Sequence, residues 1–208
     1  LEEDTEVEIT AEMVKKLREK TGAGMMDCKR ALEMAGGDYE KAVDELRTKG
    51  QATAAKRVGK IAKEGVVGFY LHRPGGKIAV MVEVNCETDF VARTAEYEEF
   101  AKDIAMHVAA SNPRYVNREQ VTAETIERER AIYKAQALEA GKPEKVVEKI
   151  VEGKLEKFYG DVCLMEQHFI KDTDRTITDI LNDLVAKTGE KIVIRRFARF
   201  QVGEDLEG

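Results

Sequence analysis

Glycines at positions 22, 36, 37 and 50 cut the first fifty residues into three short segments, and that spacing limits what this end of the chain can build. Thr10 is a good N-cap before a stretch in which Met13, Val14 and Leu17 fall on one helical face, with Gly22 as its stop. A second apolar-periodic run covers Met25 to Ala35 and ends at Gly36-Gly37. Asp38 then caps a third run, which carries Ala42, Val43 and Leu46 and is expected to stop at Gly50. Residues 10–50 therefore read as a compact three-helix module. The Lys- and Ala-rich stretch Gln51–Glu64 has helix formers but a weak apolar stripe, so 51–64 reads as a partly exposed linker helix. The chain opens on Leu1 and the acidic run Glu2-Glu3-Asp4-Thr5-Glu6, so residues 1–9 are expected to be a solvated leader, the start of a processed or excised piece of a longer product. A short tail is expected at 204–208.

Beyond the linker the period changes. Val66–Leu71 and Lys77–Val84 are β-rich runs separated by the turn-forming Arg73-Pro74-Gly75-Gly76, and they predict a hairpin. Ile78–Val82 is apolar throughout, which implies cover on both faces. Helical period returns at Tyr97, Phe100, Ala101, Ile104, Ala105 and Val108 and ends at Asn112-Pro113. One helical region follows Thr122 and another opens on Pro143, with Val147, Ile150, Val151, Leu155 and Phe158 on one face; the two suit a helical hairpin. Thr176 and Asp179 form a capping box before a helix closed by Gly189. In Lys191–Val202, residues Ile192, Ile194, Ala198, Phe200 and Val202 alternate with polar ones, as in a strand with one face on a core. The fold class expected is α+β: the helical module, then a three-stranded antiparallel sheet packed with helices over 65–203.

Charge and motifs exclude more than they propose. The net charge of −6 offers no basic field for a phosphate backbone, which argues against direct binding of nucleic acid. No apolar stretch approaches the ~20 residues that span a bilayer, so no membrane association is expected. Cys28, Cys86 and Cys163 are widely separated and have neither CxxC nor Cys/His spacing, so they read as buried, inert thiols of a reducing compartment. There is no HExxH, GxSxG or GxxxxGK[ST] pattern, and Gly22-Ala23-Gly24 lacks the third glycine and the preceding strand of a dinucleotide fingerprint. Neither a metal nor a cofactor is expected, and no enzymatic centre stands out.

Two longer stretches carry a resemblance. Leu17-Arg-Glu-Lys-Thr-Gly-Ala-Gly-Met-Met-Asp-Cys-Lys-Arg-Ala-Leu32 closely resembles the N-terminal signature of the elongation factor Ts family. Glu83-Val-Asn-Cys-Glu-Thr-Asp-Phe-Val-Ala-Arg93 resembles the family's second signature, in the expected order and at the expected distance. The likeness continues through Met106-His-Val-Ala-Ala110, Lys142-Pro143, Glu152-Gly153, Gln167-His-Phe169 and Arg195-Arg-Phe197, covering nearly everything from Ile9 to Gly203. Thr94 departs from the family, which more often has Asn or Ser there. The chain also has one sheet unit where many members have two and a coiled-coil insertion, so it looks like the short form.

The resemblance implies a non-enzymatic guanine-nucleotide exchange factor whose partner is elongation factor Tu. Its N-terminal module would resemble ubiquitin-associated domains, and the short form would pair as a homodimer in the cytoplasm or in an organelle of bacterial descent. Phe90 taken alone reads as core, beside a strand end; the resemblance instead implies that Asp89 and Phe90 sit at an exposed tip that wedges beside the partner's magnesium ion, with Thr88 and Val91 shaping it. Arg18, Met25 and Met26 would belong to the surface that grips the partner, although a methionine at helical spacing is more often a core filler. His107 reads either as a satisfied buried histidine or, by the resemblance, as a partner contact. Two rivals remain at this point: a helical adaptor using residues 1–64 alone, and an enzyme pairing Asp89 with His107.

Overall fold

A computed structural model of the chain describes residues 9–204, so the expected leader and tail lie outside it apart from Ile9 and Glu204. In order, the elements are α1 (Ala11–Thr21), α2 (Met25–Met34), α3 (Tyr39–Arg57), β1 (Glu64–Leu71), β2 (Ile78–Cys86), α4 (Asp89–Ala92), α5 (Ala95–Ser111), α6 (Ala123–Glu139), α7 (Glu144–Val162), β3 (His168–Phe169), β4 (Asp172–Thr176), α8 (Ile177–Thr188) and β5 (Val193–Gln201). The main sheet is antiparallel with strand order β1-β2-β5, and β3 and β4 make a small separate hairpin. This is the α+β class expected from the sequence.

Contacts group the described residues into two units, neither continuous in sequence. The first holds the residues up to Val66 together with Asn85–Tyr97 and Asp179–Val193; the second holds Val67–Val84, Glu98–Thr178 and the rest from Ile194.

In the first unit, the Thr10 side chain caps α1 by accepting the Met13 N–H at 3.2 Å, and Gly22 ends it in the left-handed region at φ 65°. Asp38 caps α3 through the Glu40 and Lys41 amides at 3.1 and 3.2 Å. Val14, Leu17, Cys28, Ala31, Leu32 and Ala42 form the core of these three helices. The expected stop at Gly50 does not occur. Instead α3 runs through Gly50 to Arg57, and the separate linker helix over 51–64 is replaced by this extension and the start of β1. A Cβ at Gly50 would lie 3.6 Å from the Asn182 carbonyl oxygen and 3.8 Å from the Ala186 side chain, so this glycine is a packing contact rather than a terminator. Asp179, read as one half of a capping box, has its carboxylate engaged by Arg47 in a two-pronged pair at 3.0 and 3.1 Å.

In the second unit, Val80, Val82 and Val84 of β2 are buried, but Met81 is 51% exposed. The uninterrupted apolar run Ile78–Val82 is thus covered on one face there, not on both as expected. The alternation of β5 holds at its start, where Ile194 is buried, and fails at its end, where Phe200 and Val202 are exposed. On β1, Gly68 is the only buried residue, while Val67, Phe69 and Leu71 point outward on the opposite face. Helices α6 and α7 form the expected hairpin around Ala137, Val147, Val151 and Leu155, with Pro143 as the N-cap of α7 rather than its first residue. Arg118 clamps the base of this hairpin: it bonds both oxygens of Glu156 at 3.0 and 2.6 Å, pairs with Glu166, and lies 4.4 Å over the Tyr159 ring.

Candidate functional site

Strand β2 ends at Cys86, and two residues later Thr88 opens the four-residue helix α4. Thr88 is extended at φ −127°, ψ 153°, and its hydroxyl accepts the Val91 N–H at 3.4 Å, the local side-chain bond expected of it. Val91 and Ala92 are the inward side of the turn and are buried. Asp89 and Phe90 are its outward side. Asp89 pairs with Arg93 one turn on, at 2.8 Å, and Phe90 is 80% exposed, the most exposed large apolar side chain among the described residues. An aromatic ring in that position has no packing role within its own unit. Thr94, the departure from the family pattern, still works as a cap, since its hydroxyl bonds the Val91 carbonyl at 2.8 Å and accepts the Tyr97 N–H at 3.4 Å.

The turn is tied to a distant part of the chain that carries no local sequence signal. The Glu190 carboxylate accepts the Glu87 N–H at 3.1 Å, the Thr88 N–H at 3.0 Å and the Thr88 hydroxyl at 2.6 Å. In return, the Glu87 carboxylate accepts the Lys191 N–H at 2.7 Å, and the Lys191 ammonium bonds the carbonyls of Val58 at 2.5 Å and Lys60 at 2.9 Å. These residues, Glu87, Glu190 and Lys191, are the part of the site that sequence reasoning missed.

Arg18, Met25 and Met26 fall in the same unit as the Thr88–Val91 turn. Arg18 is exposed on the last turn of α1, and the two methionines open α2 at 57% and 68% exposure, so neither fills the core. Alongside Arg18, Lys187 lies across Gly22 and pairs with Glu96.

His107 belongs to the second unit and is fully buried, in keeping with the reading of it as a satisfied buried histidine. The Ile170 N–H donates to Nδ1 at 3.3 Å, and Nε2 lies 3.0 Å from the Gln167 side-chain oxygen, whose amide group in turn donates to the Asp161 carbonyl at 2.7 Å. That chain fixes the neutral tautomer with the proton on Nε2, because Nδ1 already accepts. Burial lowers the pKa of this ring, and the bond to Gln167 opposes the shift only in part. In the unfolded chain an imidazole titrates near 6.5. The unfolded state therefore binds the proton first, so the contribution of His107 is fully present above about pH 6.5 and is lost progressively as the pH falls from there toward the lower folded value. A histidine NMR titration should find His107 titrating below pH 6.5; a ring titrating at or above that value contradicts this placement.

The three cysteines are buried and unbridged. Burial raises the thiol pKa of each, that of Cys163 to about 11, which keeps them protonated and poor nucleophiles at neutral pH. Among the described residues no helix is long and apolar enough to cross a membrane.

Comparison with known proteins agrees with the pattern of these residues. A family model described as Elongation factor TS matches residues 5–204. Among similar curated proteins, one named Elongation factor Ts from Syntrophomonas wolfei is 63% identical over 199 residues, covering 96% of this chain and 92% of its own. Another of that name from Carboxydothermus hydrogenoformans is 63% identical over 198 residues, covering 95% and 91%. A third, from Syntrophus aciditrophicus, is 60% identical over 199 residues, covering 96% and 98%.

Proposed function

The chain belongs to the elongation factor Ts family of translation elongation factors, and from that premise we propose that it is a guanine-nucleotide exchange factor for elongation factor Tu. The observation that carries this reading is the outward presentation of Asp89 and Phe90 on a short, capped turn, where the aromatic ring is 80% exposed. A GTPase holds GDP through its phosphate loop and a magnesium ion with near-octahedral ligands. A ring pushed beside that ion disturbs several charge-assisted contacts together, and GDP leaves faster. Thr88 and Val91 shape the wedge; Arg18, Met25 and Met26 dock the N-terminal module, residues 10–50, which we read as ubiquitin-associated in type.

No bond is made or broken in this scheme, so the protein is not an enzyme and needs no cofactor of its own. It acts by binding the nucleotide-free state of its partner better than the GDP state, and only that difference shifts the population. The coupling is reciprocal: whatever factor the protein imposes on GDP affinity, GDP imposes on the protein complex. Residues 65–203 supply the wedge and the contact between copies. We place the protein in the cytoplasm, with neither nucleic acid nor membrane as a direct partner.

The test is release of fluorescent GDP from purified elongation factor Tu with and without this protein; no acceleration at micromolar concentrations overturns the proposal. A helical adaptor would bind through residues 1–64 and be indifferent to changes at Asp89 and Phe90.

A homodimer is part of the same reading. Val67, Phe69, Leu71, Met81 and Phe200 are large apolar side chains left exposed on the strands of the second unit. Exposed apolar patches of this kind suit a protein contact. Light scattering is expected to give twice the chain mass. A monomer with full exchange activity removes this part of the proposal.

A further inference from the structure

A helix of four residues has no continuing ladder to hold its shape, so the presentation of Asp89 and Phe90 depends on what fixes Thr88 from outside. We propose that Glu190 is a positioning residue for nucleotide exchange, its carboxylate setting the conformation in which the Thr88–Val91 turn meets the partner. This inference rests on the exchange reading given above.

The geometry is specific. One carboxylate takes both backbone N–H groups where β2 gives way to the turn, Glu87 and Thr88, and also the Thr88 hydroxyl at 2.6 Å. A threonine hydroxyl has one proton and two lone pairs. With the proton committed to Glu190, the lone pairs are left to accept the Val91 N–H, which is the cap of α4. Glu190 therefore orients the hydroxyl that starts the helix. Because the acceptor is ionised, these bonds are stronger than neutral ones. The anchor is itself secured separately: Gly189 ends α8 at φ 69°, and Lys191 is fastened through its amide to Glu87 and through its ammonium to the carbonyls of Val58 and Lys60. A change confined to the Glu190 side chain should thus release the turn and leave the backbone at residues 189–191 in place. Buried residues such as Leu184, Val185 and Ile192 continue to hold the unit together.

The experiment is a titration of GDP release from elongation factor Tu with the unaltered chain, Glu190→Ala, Glu190→Gln, Thr88→Val and the pair Glu190→Ala with Thr88→Val, followed by amide hydrogen exchange on the free proteins. In Glu190→Ala the saturating release rate should fall roughly tenfold or more, the effect of losing charge-assisted anchoring bonds. The concentration giving half-saturation should change little, since Arg18, Met25 and Met26 are untouched. Amides of Thr88 and Val91 should exchange faster while the melting temperature stays close to that of the unaltered chain. Glu190→Gln, which keeps one acceptor oxygen but turns an amide group toward a donor, should fall between. Thr88→Val should cost less when added to Glu190→Ala than when made in the unaltered chain, because the bond the two side chains share is already gone and only the Val91 cap remains to be lost.

A full saturating rate in Glu190→Ala, a loss confined to half-saturation, or unchanged protection at Thr88 and Val91 overturns the positioning role while leaving exchange activity intact. Should Glu190→Ala fail to fold, the same readouts on Glu190→Gln decide the matter. If the unaltered chain does not speed GDP release, the exchange reading fails and this inference falls with it.

Discussion

Replacing Phe90 with alanine is expected to abolish most of the stimulated GDP release while leaving the melting temperature of the free protein unchanged. With four-fifths of its surface already in solvent, the ring contributes little burial to the fold, and exposed substitutions of this kind usually stay within about 0.5 kcal/mol. An aromatic anchor in an interface is often worth about 2 kcal/mol or more, a factor of roughly 30 in the stimulated step. A core phenylalanine would behave in the opposite way, costing the fold about 3–5 kcal/mol. Measured side by side, melting curves and release rates separate the two. A large drop in the melting temperature of Phe90→Ala, with activity lost only in proportion to unfolded protein, would remove the wedge from the mechanism. Asp89→Ala should act more gently, since its carboxylate is paired with Arg93 on the same turn and fills no pocket.

Gly68→Ala is expected to be the most damaging single-methyl change in the second unit. On intrinsic preference alone, alanine in place of a glycine in a strand should be neutral or slightly stabilising, because it restricts the unfolded chain. Here the added Cβ would lie 2.5 Å from the Ala101 carbonyl oxygen, 2.6 Å from its carbonyl carbon and 2.8 Å from its Cβ. Two of those three atoms are backbone, so relief requires β1 and α5 to move apart. Overpacking of this sort costs roughly 1–3 kcal/mol, sometimes more. For a chain of this size that corresponds to a fall of roughly 2–12 °C in melting temperature. An unchanged or higher value would show that strand and helix do not approach each other this closely.

Much of this fold can be read from local sequence, and the exceptions share a cause. Helix starts at Thr10, Asp38 and Thr122 were legible because the cap and the capped amide lie within three residues of each other. The stop at Gly22 was legible for the same reason. Gly50 looked identical to Gly22 in sequence but plays the other role of a residue without a side chain: it admits a neighbour, and that neighbour, Asn182, is far along the chain. Met81 sits in an apolar run that gives no sign of which face is covered. As for the candidate site, the outward placement of Phe90 was expected only through the family resemblance, since an apolar ring next to a strand reads as core on burial statistics. Glu190 could not be found even so. Its bond to the Thr88 amide spans 102 positions, and nothing about a glutamate after a glycine announces the groups it will meet.

That separation also sets an order of events during synthesis. Loop closure over such a distance has to be completed before the contact can stabilise anything. On a ribosome moving at about 5–20 residues per second, the segment between Thr88 and Glu190 takes roughly 5–20 seconds to appear. The helices α1 to α3 can be finished long before then from contacts made within their own stretch of chain. The Thr88–Val91 turn, by contrast, cannot be joined to Glu190 until the chain has grown about a hundred residues past it, so its final anchoring follows the formation of the three helices.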